Sequence, residues 1–364
     1  MGKILLGDIC KPKQWKTIST SMLEENGYPV YGANGIIGKY SKYNHEKETL
    51  LITCRGATCG QLNISVPFSY INGNAMALDD LDESVDIKYL YYFLKGRGFK
   101  DIISGSAQPQ IIRSSLEKIQ IDFKELKEQK VIVDQFTIIE TLINLKRRQL
   151  TQLNNLIKAR FVEMFGDPEL NSMNWRIKTI GEVSTDVRYG TSKPASVNGQ
   201  YPYLRMNNLT MDGTLDLSDL KYIDVSKDEV EKCVVKKGDI LFNRTNSLDL
   251  IGKTAMFNLD ENMIIAGYII RVRLNEELLP EVLAQYMNLE PIKRRLKSMA
   301  KGAVNQANIN AQELKSIKVY IPEMILQRKF VDIKNKINKS KVAVQKSLDE
   351  TQLLFDSLMQ KYFG

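Results

Sequence analysis

One histidine, His45, and four scattered cysteines are all that this chain offers to imidazole or thiol chemistry. His45 sits in the polar stretch from Ser41 to Thr49 with no Asp or Cys arranged around it, so it is expected at the surface. Cys54 and Cys59 lack CxxC spacing and a second pair, which argues against a zinc site. Cys10, Cys54, Cys59 and Cys233 stand in unlike contexts, as reduced thiols of a cytoplasmic protein do. No GxxxxGK[ST] phosphate loop occurs, and Gly32, Gly35 and Gly38 form a GxxGxxG without the preceding GxG turn of a dinucleotide site. Asp122, Glu125 and Lys127 imitate the acidic-acidic-lysine pattern of metal-dependent nucleases, but they lie where a helix starts and acidic groups favour its dipole. The Asn-Pro-Pro-Tyr or Asp-Pro-Pro-Tyr sequence of an amino-methyltransferase is also missing. The expectation is a chain with no catalytic residues, no metal and no cofactor of its own.

What remains is a set of loops that combine Gly with Arg, Asn, Gln and Tyr. In the first part of the chain these are Tyr28–Gly35, Arg55–Thr58 and Gly105–Gln110, with Lys39 and Arg113 close by. In the second they are Tyr201–Asn208, Arg244–Ser247 and Gly302–Gln306, next to Lys301. Arginine pairs with guanine, and Asn or Gln with adenine, while glycine lets backbone approach phosphate. Asn and Gly also simply make turns, yet the sets recur at matching places. The candidate DNA-binding residues are therefore Asn34, Lys39, Arg55, Gln108, Gln110 and Arg113 in the first set. In the second they are Arg205, Asn207, Asn208, Arg244, Asn246, Lys301, Asn305 and Gln306.

The elements that must position these loops are duplicated. Gln129 to Gly166 corresponds without a gap to Gln327 to Gly364 at an offset of 198, and Gly7-Asp8-Ile9 aligns with Gly181-Glu182-Val183 at 174. A repeat this long is a duplicated domain rather than a solenoid unit of about 20–50 residues. From about Leu126 to Phe165, Ile132, Phe136, Ile139, Ile143, Leu150, Leu153, Ile157 and Met164 make a heptad stripe, interrupted by Lys146 and Arg160. Phe330, Ile337, Val344, Leu348, Phe355, Leu358 and Tyr362 repeat it, weakened by Lys334 and Lys341. Gly166 and Pro168 stop the first helix. The ungapped, equal lengths predict that the two helices pair as an antiparallel coiled coil. The heads are expected as mixed α/β, with strands at Thr49–Thr53, Asp239–Phe242 and Met263–Leu274 and helices at Ile87–Leu94 and Pro280–Met299. The expected division is a first head at 1–123, a helix at 124–167, a second head at 168–321 and a helix at 322–364.

A formal charge of +8 and a pI near 9.0 favour a polyanionic partner. No apolar run approaches the roughly 18 residues of a membrane span, and Met1 to Trp15 lack a signal peptide.

In the order and duplication of PVYGANGIIG (Pro29 to Gly38), GSAQPQIIRSSLEKIQI (Gly105 to Ile121), FVEMFGDP (Phe161 to Pro168) and Trp175 to Gly181, the whole chain resembles specificity subunits of type I restriction–modification enzymes. The resemblance implies two target recognition domains, each reading half of a split double-stranded DNA site, held apart by an antiparallel pair of helices. It further implies methyltransferase subunits docked on the helices, S-adenosylmethionine bound on those subunits, and ATP-dependent restriction subunits as further partners. The second head departs from the first, Leu204-Arg205-Met206 standing for Tyr31-Gly32-Ala33, so the half-sites should differ. Two rivals stay open: a coiled-coil adaptor whose heads bind protein, and a stand-alone methyltransferase or nuclease.

Overall fold

A computed structural model describes residues 2–105, 108–303 and 306–364. Contacts divide the chain into two units, residues 1–147 with 346–364, and residues 148–345. Each unit therefore holds one head, one end of the central helix and one end of the C-terminal helix.

The first unit is built on a four-stranded antiparallel sheet in the order Lys11–Gln14, Ala75–Asp79, Leu50–Thr53, Leu62–Ile64. A second sheet joins Gly35–Tyr40 to Tyr28–Gly32 and, in parallel, to Tyr70–Ile71. The second unit repeats both. Ser184–Tyr189, Ile269–Leu274, Ile240–Asn243 and Thr254–Met256 form the first sheet. Lys221–Ile223, Tyr201–Leu204 and Met263–Ile265 form the second, again with a parallel pair, and Val234–Val235 adds a fourth strand at its edge. Strands at the two ends of each head close on each other, Lys3–Leu5 on Gln120–Asp122 and Arg176–Thr179 on Lys318–Ile321. The chain turns out of these strands by a close approach that glycine eases. A Cβ on Gly7 would lie 3.0 Å from that of Glu117, and one on Gly181 3.2 Å from that of Lys315.

Two of the expected elements are interrupted. The strand expected over Met263–Leu274 breaks at Ala266-Gly267-Tyr268, where the two halves enter different sheets. The helix expected over Pro280–Met299 is two, Pro280–Met287 and Glu290–Met299, because Pro291 has no N–H for a continuing helix and instead opens a new one.

The long helices run Leu126–Phe165 and Met324–Phe363, 40 residues each, or about 60 Å of rise. Gly166 adopts φ +80° just past the first, the left-handed stop that glycine provides. Within each unit the paired segments run antiparallel. In the first, Phe136 packs against Phe355 and Phe363, and Gln135 accepts from the Tyr362 hydroxyl. In the second, Phe161 and Phe165 pack on Phe330. The stripe differs from the heptad expectation at its ends: Phe161, Phe165 and Phe363 are buried where Met164 and Tyr362 were expected to lead. Steps of four from Ile157 bring the last turns between the partner helix and the head, where Phe161 also meets Tyr286 and Tyr320.

One polar joint fastens helix to head in each unit. Gln129 is fully buried; its amide donates to the carbonyls of Ser84 and Lys124 at 3.0 and 2.9 Å and accepts from the Asp86 N–H at 2.8 Å. Gln327, also fully buried, donates to Glu277 and Pro322 at 2.9 and 2.8 Å and accepts from Leu279 at 2.8 Å. A buried amide must satisfy each of its hydrogen-bonding atoms, and both copies solve that in the same way.

Candidate nucleic-acid interface

In each head the loop that leaves the central strand of the first sheet is laced to the segment preceding the closing strand. In the first unit, Gly56 donates to Pro109 at 3.0 Å, Ile111 donates to Cys54 at 3.0 Å, and Ser104 and Gln110 exchange bonds at 2.9 and 2.8 Å. Thr53 reaches the Ala33 carbonyl, and Thr58 donates to Asn34 Oδ1 at 2.7 Å. Asn34, Arg55, Gln108 and Gln110 are thereby gathered around adjoining loops, all four exposed.

Two other candidates fall elsewhere. Lys39 lies five positions from the Asn34 turn, roughly 16 Å along its strand. Arg113 is tied to Glu117 at 2.6 Å and lines a separate cleft with Lys13, Trp15 and His45.

That cleft overturns the expectation for His45. Its side chain is 9% exposed, its Nε2 lies 2.9 Å from Asp79 Oδ1, and its Nδ1 lies 2.7 Å from Asn44 Oδ1. Asp79 also accepts from Trp15 Nε1 at 3.0 Å, and Lys13 sits 3.8 Å over the Trp15 ring. Asp79 and Trp15 lie 34 and 30 residues away in sequence, so local inspection of the Ser41–Thr49 loop could not find them.

In the second unit, Ile309 donates to the Arg244 carbonyl at 2.9 Å, and Thr245 pairs with Asn308. The backbone pattern sets Arg244 opposite Cys54, and Thr245 opposite Arg55: Gly60 donates to Thr53 just as Gly252 donates to Asn243. The two arginines matched by sequence therefore stand one position apart after the ends of their strands. Arg55 is exposed. Arg244 is half-buried, its guanidinium 4.9 Å over the Tyr189 ring, and its Nε is buried with no acceptor among the described residues.

Arg244 lines a pocket of about 500 Å³ together with Arg205, Asn207, Lys193, Tyr203 and Tyr268. Arg205 donates to the Asp219 carboxylate at 2.7 Å, and its Nε too is buried without an acceptor among the described residues. Lys221 and then Arg205 hold the Asp219 carboxyl below its ordinary range. Sequence inspection missed Lys193 and Tyr268, which line the pocket from loops, and Tyr189, which lies at the end of a strand under the Arg244 guanidinium.

Three second-head candidates serve the loops themselves. Asn208 is 2% exposed, and its amide bonds the Arg205 N–H and the Asp216 carbonyl at 2.8 Å each. Asn246 donates to Asn243 at 3.0 Å and accepts from the Ser247 N–H at 2.9 Å. Lys301 pairs with Glu313 at 2.6 Å, which holds that carboxyl low. Gln306 is exposed at a hairpin strand, and Asn305 lies outside the described residues.

With that geometry in view, comparison places the chain. The model for the type I restriction modification DNA specificity domain matches residues 2–155 and again 172–350. The chain belongs to this family. The specificity subunit of the EcoKI type I restriction enzyme of Escherichia coli K12 is 23% identical over 263 residues, covering 67% of this chain and 56% of that protein. A putative specificity subunit, MjaX of Methanocaldococcus jannaschii, is 26% identical over 195 residues, covering 52% and 45%. The chain thus spans about half the length of the curated relatives it matches. Among solved structures, the type I S subunit from M. genitalium superimposes with a TM-score of 0.60 at 18% identity, covering 100% of this chain and 96% of that one. A chain from a study of type I restriction–modification complex assembly gives 0.58 at 15% identity. Two tandem specificity domains and the duplicated mixed α/β fold with its long helices agree. No helix among the described residues is long and apolar enough to cross a membrane.

Proposed function

We propose that this chain is the sequence-reading subunit of a type I restriction–modification complex. Its two heads, residues 1–123 and 168–321, each read one half of a bipartite DNA site. The helices serve as spacer and as the surface on which methyltransferase subunits dock. Catalysis and S-adenosylmethionine belong to those subunits, and ATP-dependent restriction subunits complete the assembly.

The observation that carries this reading is Arg244. A guanidinium sunk into a pocket over an aromatic ring, without a carboxylate, is left short of acceptors, and buried donors demand partners. A base edge in the major groove supplies them, guanine offering two acceptors to an arginine fork. Arg55, exposed and with no carboxylate in ion-pair range among the described residues, plays the corresponding part in the first head from its neighbouring position. Arg113, Arg205 and Lys301 are partly neutralised by their carboxylates and are assigned to orientation or to phosphate.

The test is to map modified bases in cells that carry the methyltransferase partner with and without this gene. The expected result is adenine methylation at a split site that appears only with the gene, while the purified chain alone methylates and cuts nothing. Turnover by the chain alone, or binding to DNA that does not weaken with salt, overturns the proposal.

A further inference from the structure

The second unit holds a cleft of about 430 Å³ between its head and its two helix segments, lined by three lysines (Lys158, Lys334 and Lys341) against one carboxylate, Asp212. One oxygen of that carboxylate is engaged within its own loop. Its Oδ1 accepts from the hydroxyls of Thr210 and Thr214 at 2.5 and 3.1 Å. Burial pulls the Asp212 carboxyl up, but these hydrogen bonds and the Lys341 charge hold it below its ordinary range. Among the described residues none of the three lysines has a carboxylate within 4 Å, and Lys334 has only a backbone carbonyl, that of Glu281, at 3.4 Å. Burial pushes the Lys334 ammonium down to about 8, with Glu281 acting weakly the other way.

The duplication supplies the control. Four positions lining this cleft, Asn338, Lys341, Asn154 and Ile157, correspond at the offset of 198 to Glu140, Ile143, Gln352 and Phe355, which line a smaller cleft of about 280 Å³ in the first unit. Two cations, Lys95 and Arg147, line it, and Lys95 is answered from within the chain: it lies 3.4 Å from Glu140, which also accepts from the Tyr92 hydroxyl at 2.8 Å. The position of Lys334 is Phe136, stacked on Tyr92 and Phe363. In the second unit cations replace two apolar residues, Phe136 and Ile143, and an amide replaces the carboxylate. Half-buried cations that outnumber the carboxylate beside them are unfavourable unless a further counter-charge arrives from outside.

We propose that this cleft is a binding site for an oxyanion, a carboxylate or a phosphate, that takes the place Glu140 holds in the first unit. The anion comes either free from solution or on the acidic side chain of a protein docked against the helices, and the two sources separate experimentally. Binding of inorganic phosphate to the full chain is measured at pH 7 by calorimetry and phosphorus NMR, against chloride of equal ionic strength. Unfolding temperatures in chloride are recorded alongside for wild type, Asn338→Glu, Asn338→Gln and the double variant Lys334→Met/Lys341→Ile. A free-anion site gives phosphate binding that is lost in both Asn338→Glu and the double variant and kept in Asn338→Gln. A site for a protein-borne carboxylate gives no phosphate binding, yet Asn338→Glu unfolds at a higher temperature than both wild type and Asn338→Gln, having built the missing charge into the chain. Phosphate binding undiminished in Asn338→Glu and the double variant overturns the proposal. So does an absence of phosphate binding together with no gain from Asn338→Glu.

Discussion

The two units carry the same joint and different pockets. Gln129 and Gln327 make the same three backbone bonds at the start of their helices, whereas Phe136 in an apolar stack corresponds to Lys334 beside a polar cleft. The joint cannot drift, because a buried amide loses several bonds at once when any one partner moves. The cleft can drift, since a half-buried position tolerates a cation that water or a ligand solvates. The same contrast separates the strands of the first sheet in each unit, which match in order and direction, from the side chains that the candidate loops present.

The joint should give the largest effect. Gln129→Ala leaves three backbone groups unsatisfied and should destabilise the chain by about 3 kcal/mol or more. Hydrogen exchange should rise in residues 82–86 and 124–126 while the second unit keeps its protection. Gln327→Ala should do the reverse, at residues 277–279 and 322–324. Equal loosening of both units by either variant would show that the joint is not local to its copy.

The pockets should give an intermediate effect. Arg244→Ala should lose about 1–3 kcal/mol of discrimination at one half-site only, and Arg55→Ala at the other. Because Arg244 is stacked and half-buried, Arg244→Lys should fail to restore it, while Arg55→Lys retains part of its binding. Methylation sequencing of the variants reads both halves together. Uniform weakening on every sequence would assign both side chains to phosphate.

A smaller effect is expected from pH. Lys334 has a folded-state pKa lowered to about 8 against an ordinary 10.5, so between these values the unfolded chain binds the extra proton and stability rises with pH. Lys293, likewise lowered to about 8 by burial, acts in the same direction. Cys10, pushed up to about 12 by burial, acts in the opposite direction above pH 9. The difference between wild type and Lys334→Met isolates the lysine: in chloride, wild type should gain on the variant from pH 8 to 10 in urea midpoints. A constant difference across that range would show that Lys334 is not desolvated.

The gentlest perturbation tests the spacer role. Four residues inserted near Leu145 add about 6 Å of helix, one or two base pairs at about 3.4 Å each, so the gap between unchanged half-sites should lengthen. Methylation sequencing that finds the gap unaltered, with activity retained, would separate the helices from half-site spacing.

Much of this architecture was written in local pattern. Phe165-Gly166 and Phe363-Gly364, the ungapped offset and the apolar stripe depend on periodicity and on a left-handed stop, which neighbouring residues specify by themselves. The sequence also marked the loops around Arg55, Gln110 and Arg244 as candidates, since Gly, Asn and Arg cluster visibly. What it could not decide was which side chains those loops leave available. Asn208 and Asn246 turn inward because the chain bends back on itself at residues 216 and 243, and Lys301 is answered by Glu313 from the next helix. His45 is buried by Trp15 and Asp79, which only the sheet brings near it. Arg244 is singled out by the Tyr189 ring beneath it, a neighbour 55 residues away in sequence. Periodicity is a property of consecutive residues. Burial, ion pairing and the shape of a pocket are properties of residues that meet only after folding, and for this chain those decided the site.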